Sequence, residues 1–302
     1  MTITGRASGE TFDVSNKIRA YIALTKPRII ELLLVTTLPA MFLAKDGVPS
    51  IALMAGTLLG GTMSAGGANA ANMVVDRDID KLMERTKGRP LAMGVISPVG
   101  AAIFAALLEV AAFICLWMVA NLLAAELALA GALFYLIVYT LWLKRSSSQN
   151  IVIGGAAGAV PVLVGWAAVT NNLSWAAAVM FAIVFFWTPP HFWALALRYR
   201  DDYKAVSVPM LPVVSTYNTT VLQMLIYTIV LWVCSLLLIP VGGMGLIYIV
   251  VSVVVGAVFV WQAWGLYRRA KWTSPMKVFH WSITYLTILF VAIAVDVVIR
   301  HH

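Results

Sequence analysis

Charge is what this sequence has least of. Charged residues make up 11% of its 302 positions, where a soluble domain carries about 25%. That deficit excludes an ordinary water-soluble fold. Acids are the scarcer sign, with 13 Asp and Glu against 21 Lys and Arg. There are 2 cysteines and 4 histidines. Cys115 and Cys234 lie far apart in apolar runs without metal-ligand spacing, so they read as small buried residues. Also missing is the period-two alternation, over segments of about ten residues, that marks a membrane β-barrel.

Long apolar runs are there instead. The chain is 62% hydrophobic, with a mean hydropathy of +0.91. Runs of about 18 or more apolar residues mark membrane-spanning helices. Nine spans are expected, near 28–45, 51–73, 98–119, 121–142, 151–170, 174–197, 218–240, 243–265 and 279–299. The first is the least clean, because Glu31 interrupts it. A tight turn near Asn121 separates the third and fourth. The expected fold is an all-α, polytopic membrane bundle, residues 21–302 forming one transmembrane domain behind a polar tail, 1–20. Pro189 and Pro190 are expected to kink or break the sixth span.

The cations orient these spans. With the N-terminus in the cytoplasm, Lys and Arg fall in the tail (Arg6, Lys17, Arg19, Lys26, Arg28) and in every inner loop. The first of these loops holds Arg77, Lys81, Arg85, Lys87 and Arg89, and the next Lys144 and Arg145. Arg198, Arg200 and Lys204 follow the sixth span; Arg268, Arg269, Lys271 and Lys277 follow the eighth. Only Lys45 and Arg300 remain outside. The positive-inside rule then puts the C-terminus in the periplasm. It also accounts for most of the net charge of +8, which is therefore no sign of nucleic-acid binding. The first twenty residues lack the basic-then-apolar order of a signal peptide and the character of a mitochondrial leader, so a bacterial inner membrane is the simplest home.

Carboxylates are not needed for topology, so their clustering carries information. Six of the 13 acids fall in two inner segments, 74–97 and 198–217: Asp76, Asp78, Asp80, Glu84, Asp201 and Asp202. The two segments follow spans four apart, as a parallel repeat of two four-helix units would place them. Asn72, Asp76 and Asp80 recur every four residues, which stacks them on one helix face about 6 Å apart. Two carboxylates one turn apart repel unless a cation lies between them. Mg²⁺ is the natural one, since it prefers oxygen ligands and shares them with substrate phosphates. Asp78 points off that face. Arg85 and Arg89 are candidates to grip a diphosphate beside the metal, against ordinary positive-inside charge. In the second segment His191 lies among aromatics. It is open to three readings: a haem ligand, a proton carrier or a hydrogen-bonded core residue. Trp187, Phe192, Trp193, Tyr199 and Tyr203 are candidates to contact an isoprenoid or steady a carbocation, or to serve as packing. Glu109, Glu126 and Asp296 are the other acids in or near spans.

Asn72-x-x-x-Asp76-x-x-x-Asp80 resembles the first aspartate motif of the UbiA-type intramembrane prenyltransferases. Further stretches resemble the branch that farnesylates protohaem. They are Leu24-Thr-Lys-Pro-Arg28, Asp80-x-x-Met83-x-Arg85-Thr-x-x-Arg89-Pro-Leu, Thr188-Pro-Pro-His191-Phe-Trp193 and Asp202-Tyr-x-x-x-x-Val-Pro209-Met-Leu-Pro212-Val. The resemblance implies haem B and farnesyl diphosphate as substrates, Mg²⁺ as cofactor, and a haem O product. It implies Asp76, Asp80 and Asn72 as catalytic metal ligands, and Asp201 or Asp202 for a second ion or for orienting the first. Lys26, Arg28, Arg85, Arg89 and Lys204 would neutralise the leaving diphosphate, and His191 would meet the haem. Membrane proteins that handle haem or assemble oxidases are implied partners. The second motif departs from the Asp-x-x-x-Asp of many members: Ala205 and Val206 stand four beyond Asp201 and Asp202. Ser207 stands where Gly is expected. The alternatives are a prenyltransferase for an aromatic ring and a membrane transporter; the latter expects its ionisable groups near the bilayer midplane.

Overall fold

The computed structural model describes residues 14–300, without the side chains at 14, 15, 28, 29 and 31–33. Arg6 and the side chains of Arg28 and Glu31 thus lie outside the described residues. No strand occurs among those described. Helix α1 (Val14–Leu24) begins inside the stretch read as a polar tail. Then follow α2 (Pro27–Lys45), α3 (Ile51–Asp80) and α4 (Pro98–Val119). Helix α5 (Leu122–Leu133) runs on through a π-helix (Phe134–Leu143) into a single turn, α6 (Lys144–Ser146). Helices α7 (Asn150–Thr170) and α8 (Trp175–Arg198) come next. Two short helices, α9 (Arg200–Ala205) and α10 (Leu211–Val214), precede α11 (Tyr217–Gly242), α12 (Leu246–Tyr267) and α13 (Pro275–Arg300).

Among the described residues, 8 helices are long and apolar enough to cross a membrane: α3, α4, the continuous α5–α6, α7, α8, α11, α12 and α13. The remaining expected span, 28–45, coincides with α2, whose described apolar part is Leu34–Lys45. Local chemistry sets the starts. Ser50, Ser97, Asn121, Ser174 and Thr216 each accept a hydrogen bond from the backbone N–H three residues on, closing the first turns of α3, α4, α5, α8 and α11. Asn121 also donates to the Ala167 carbonyl at 2.7 Å, which pins the tight turn to α7.

The expected break at Pro189-Pro190 is absent: α8 is continuous through both. Proline already has a helical φ, so the pair costs two N–H donors and the crowding of its rings against the carbonyls one turn back. Both prolines are buried against neighbouring helices, whose packing keeps the segment helical.

The helices pack in chain order, α3 on α4, α4 on α5, α5 on α7, α7 on α8, α8 on α11, α11 on α12 and α12 on α13. Helix α13 then returns to pack on α2 and α8, and α2 on α7, closing a ring. The close α2–α7 crossing requires Gly165, where a Cβ would lie 2.5 Å from the Thr37 carbonyl oxygen. The result is that α7, α8 and α13 are the most enclosed helices, while α4 and the α5–α6 rod turn mainly outward.

Candidate active site

Helix α3 is long enough to carry the whole Asn72, Asp76 and Asp80 face within one rod. All three are buried, with 2%, 0% and 3% of their surface exposed. Asn72 Nδ2 donates to Asp76 Oδ2 at 2.7 Å and to Thr140 Oγ1 at 3.1 Å, and its Oδ1 accepts from Lys26 Nζ at 2.8 Å. Lys26 sits in a left-handed turn, φ 52°, between α1 and α2. The Thr25 carbonyl next to it accepts from Asn69 Nδ2 at 3.1 Å, tying that turn to α3. Burial first, then the charges of Arg89 and Lys144, bring the Lys26 ammonium down to about 7.

The segment after α3 folds back over Asp80. Met83, Leu91 and Ile96 are its buried anchors. Thr86 Oγ1 donates to the Asp80 carbonyl at 3.1 Å. Arg89 then reaches in, its Nη1 bridging both Asp80 oxygens at 2.8 and 2.7 Å. Lys87 pairs instead with Glu84 on the exposed side.

The third wall comes from the π-helix. Its wider turn lets Thr140 Oγ1 donate to the carbonyl five residues back, Tyr135, at 2.9 Å while accepting from Asn72. Just beyond it, Lys144 pairs with Asp76 Oδ2. Arg145 clamps the exposed Asp78 with two contacts of 2.7 Å and stands 3.8 Å from Asp76 Oδ1. Tyr135 and Tyr139 stack at 5.4 Å on the same helix. Gly154 on α7 makes room for Tyr139, whose ring would lie 2.3 Å from a Cβ there. Lys144 and Arg145 read from sequence as topology alone, and Thr140, Tyr135, Tyr139 and Asn69 carried no signal. A wide helical turn leaves no spacing mark in sequence.

The second segment meets the first through Arg85. Its Nη2 donates to the Tyr203 hydroxyl at 3.3 Å, and its guanidinium lies over the Tyr199 and Tyr203 rings at 5.7 and 6.0 Å. Burial raises the Tyr203 phenol, which stays a neutral acceptor. Asp201 and Lys204 are exposed and Asp202 half-buried. None of the three bonds to Asp76 or Asp80 among the described residues, and no three His, Cys, Asp or Glu side chains there gather as a metal cluster. Ser207 adopts φ 56°, the left-handed region that favours the Gly expected there.

His191 is buried on α8, stacked between Trp187 and Phe279 at 4.2 and 4.6 Å. Trp193 is fully buried, edge-on to Tyr227 at 5.4 Å, and so belongs to the core. Phe192 is 36% exposed. Glu109 bonds Ser64 at 3.1 Å between α4 and α3, and Glu126 is exposed.

The donor set around α3 fits a small hard cation. It consists of oxygens, and Asp76 Oδ1 is sealed from solvent with no hydrogen-bond partner. A buried carboxylate oxygen left so is costly unless something binds it. Around it stand Lys26, Arg89, Lys144 and Arg145, long side chains able to turn from a carboxylate to an incoming phosphate. Such an enclosed, charge-rich face can gather an anion and steady negative charge growing on it.

Comparison with known proteins narrows the chemistry. A model described as the UbiA prenyltransferase family matches residues 33–289. A relative from Clavibacter sepedonicus named protoheme IX farnesyltransferase is 52% identical over 299 residues, 98% of each chain. Among solved structures, a digeranylgeranylglyceryl phosphate synthase superposes with a TM-score of 0.77 at 17% identity, covering 94% of this chain and 99% of that one. A UbiA homologue from Archaeoglobus fulgidus bound to DMAPP and Mg²⁺ gives 0.65 at 16% identity, covering 91% and 99%.

Proposed function

The chain belongs to the UbiA prenyltransferase family, and we propose that it transfers the farnesyl group of farnesyl diphosphate to a vinyl group of haem B, with addition of water, giving haem O. Near-full-length identity of about half with relatives named for this reaction supports the acceptor. The observation that carries the chemistry is the buried Asn72–Asp76–Asp80 face, with an Asp76 oxygen that accepts no hydrogen bond and with cations around it. The multi-pass bundle suits two largely apolar substrates, and its dry walls keep premature water from a cation.

Asp76 and Asp80, helped by Asn72, are the residues to hold Mg²⁺. When bound, the ion supplies Lewis acidity toward the diphosphate oxygens. Lys26, Arg89 and Lys144, already held in place by carboxamide and carboxylates, take up charge as the allylic carbon–oxygen bond ionises. Arg85 extends this basic rim, with Lys204 further out; Arg28, whose side chain lies outside the described residues, remains a candidate from the sequence. Asp201 and Asp202 remain candidates to orient the metal-bound head from the α8–α9 side. The farnesyl C1 cation is attacked by the vinyl carbon, and water adds to the new cation. His191 is the proposed ligand of the haem iron. The acids lie at the helix ends where inner-loop cations gather, which supports diphosphate entry from the cytoplasm of a bacterial inner membrane and argues against transport through the midplane.

The test is incubation of purified protein with haem B, farnesyl diphosphate and Mg²⁺, followed by mass analysis of the porphyrin. The expected product is heavier by one farnesyl and one hydroxyl group. Unchanged haem alongside a prenylated aromatic acid, supplied in parallel, would overturn the choice of acceptor.

A further inference from the structure

His191 on α8 and Ser282 on α13 meet through a contact of 2.7 Å between Nδ1 and Oγ. Ser282 Oγ also donates to the Phe279 carbonyl at 2.6 Å. A carbonyl only accepts, so the single hydroxyl proton of Ser282 is committed to Phe279. The bond to His191 must then take its proton from the imidazole. Nδ1 carries the hydrogen and Nε2 the lone pair. The other tautomer gives up one of the two bonds and leaves an Nε2–H without an acceptor among the described residues. The ring is also held at its two faces and at one edge. Trp187 and Phe279 stack on its faces, Phe192 meets it edge-on at 5.1 Å, and Trp187 Nε1 is itself anchored on the Ser282 carbonyl at 2.7 Å. His191 keeps 7% of its surface exposed, and Nε2 is not among the sealed polar atoms that lack a partner.

We infer that Ser282 is a positioning residue: it holds His191 in the Nδ1–H tautomer so that Nε2 presents its lone pair to the iron of the haem acceptor. The inference rests on the haem reading above. A metal-bound imidazole whose other N–H is held by a hydrogen-bond acceptor is oriented and made more basic, and histidine is a common axial ligand of haem iron. The chain from imidazole to hydroxyl to the Phe279 carbonyl links that ligand to the backbone of α13.

The test is titration of the full-length protein with haem B, followed by absorption, alongside farnesyl diphosphate binding and melting temperature. Ser282→Ala should weaken haem binding about tenfold and shift the haem spectrum, with farnesyl diphosphate affinity unchanged. Ser282→Thr, which keeps the hydroxyl, should restore both. His191→Ala should abolish the ligation spectrum, and added imidazole should return it. An unmutated protein that binds no haem would sink the haem reading itself. If His191→Ala changes the spectrum while an equally stable Ser282→Ala matches the unmutated protein, the ligand role stands and the positioning role of Ser282 is overturned. If neither substitution moves the spectrum, His191 is a core residue and the inference falls with it.

Discussion

Two buried aspartates at opposite ends of the bundle have the same burial and opposite designs. Asp296, on α13, is 1% exposed. Its Oδ2 accepts from the Gly245 N–H at 2.7 Å and its Oδ1 from the Tyr248 N–H at 3.2 Å, capping the start of α12, while Arg300 Nε stands 3.0 Å away. Asp76, on α3, is 0% exposed. Among the described residues its partners are side chains, Asn72, Lys144 and, at 3.8 Å, Arg145, and one oxygen accepts no hydrogen bond. Backbone donors cannot leave, whereas a lysine can swing away. Burial alone therefore does not separate a structural acid from one proposed to hold a metal. The kind of partner does, together with whether both oxygens are satisfied.

Substitutions can break or sharpen this contrast. Asp76→Ala or Asp80→Ala should lower turnover about a thousandfold, measured as diphosphate release. Chelation of Mg²⁺ should silence the unmutated protein and be reversed by adding the ion. Stability should change little in Asp76→Ala, because Lys144 is 16% exposed and can turn to solvent. Asp296→Ala should do the reverse. It strands two backbone N–H groups and Arg300, costing about 3 kcal/mol of stability, while turnover per folded molecule stays within about twofold. A thermal or denaturant melt in detergent, read beside the activity assay, checks the pair. Lys144→Ala should cost about ten- to a hundredfold in turnover by removing one charge-assisted contact to the diphosphate. Asp78→Asn should have the smallest effect, about two- to threefold, because it only loosens Arg145 at an exposed rim.

What was legible in sequence follows the range of the interactions involved. Asn72, Asp76 and Asp80 could be grouped because an i, i+4 spacing needs nothing but a helix, and α3 supplies one through Asp80. Arg89 was in view because it lies nine residues from its partner Asp80. Lys144 and Thr140 reach the same site from 68 residues away, along a π-helix and across a packed interface. No local pattern encodes that, and positive-inside charge gave Lys144 a sufficient reason to exist. In the sequence Asp296 is only an acid in or near a span. Its role as the cap of another helix depends on α13 folding against α12. The prolines of α8 do not break the helix, because tertiary packing overrides a local breaker.

The most direct measurement is calorimetric binding of a non-ionisable farnesyl thiolodiphosphate, with and without Mg²⁺, to the unmutated protein, Asp76→Asn and Asp296→Asn. The account predicts Mg²⁺-dependent binding in the first and third, and a loss of at least about thirtyfold, with no Mg²⁺ dependence, in Asp76→Asn. Mg²⁺-dependent binding of undiminished affinity in Asp76→Asn would contradict it.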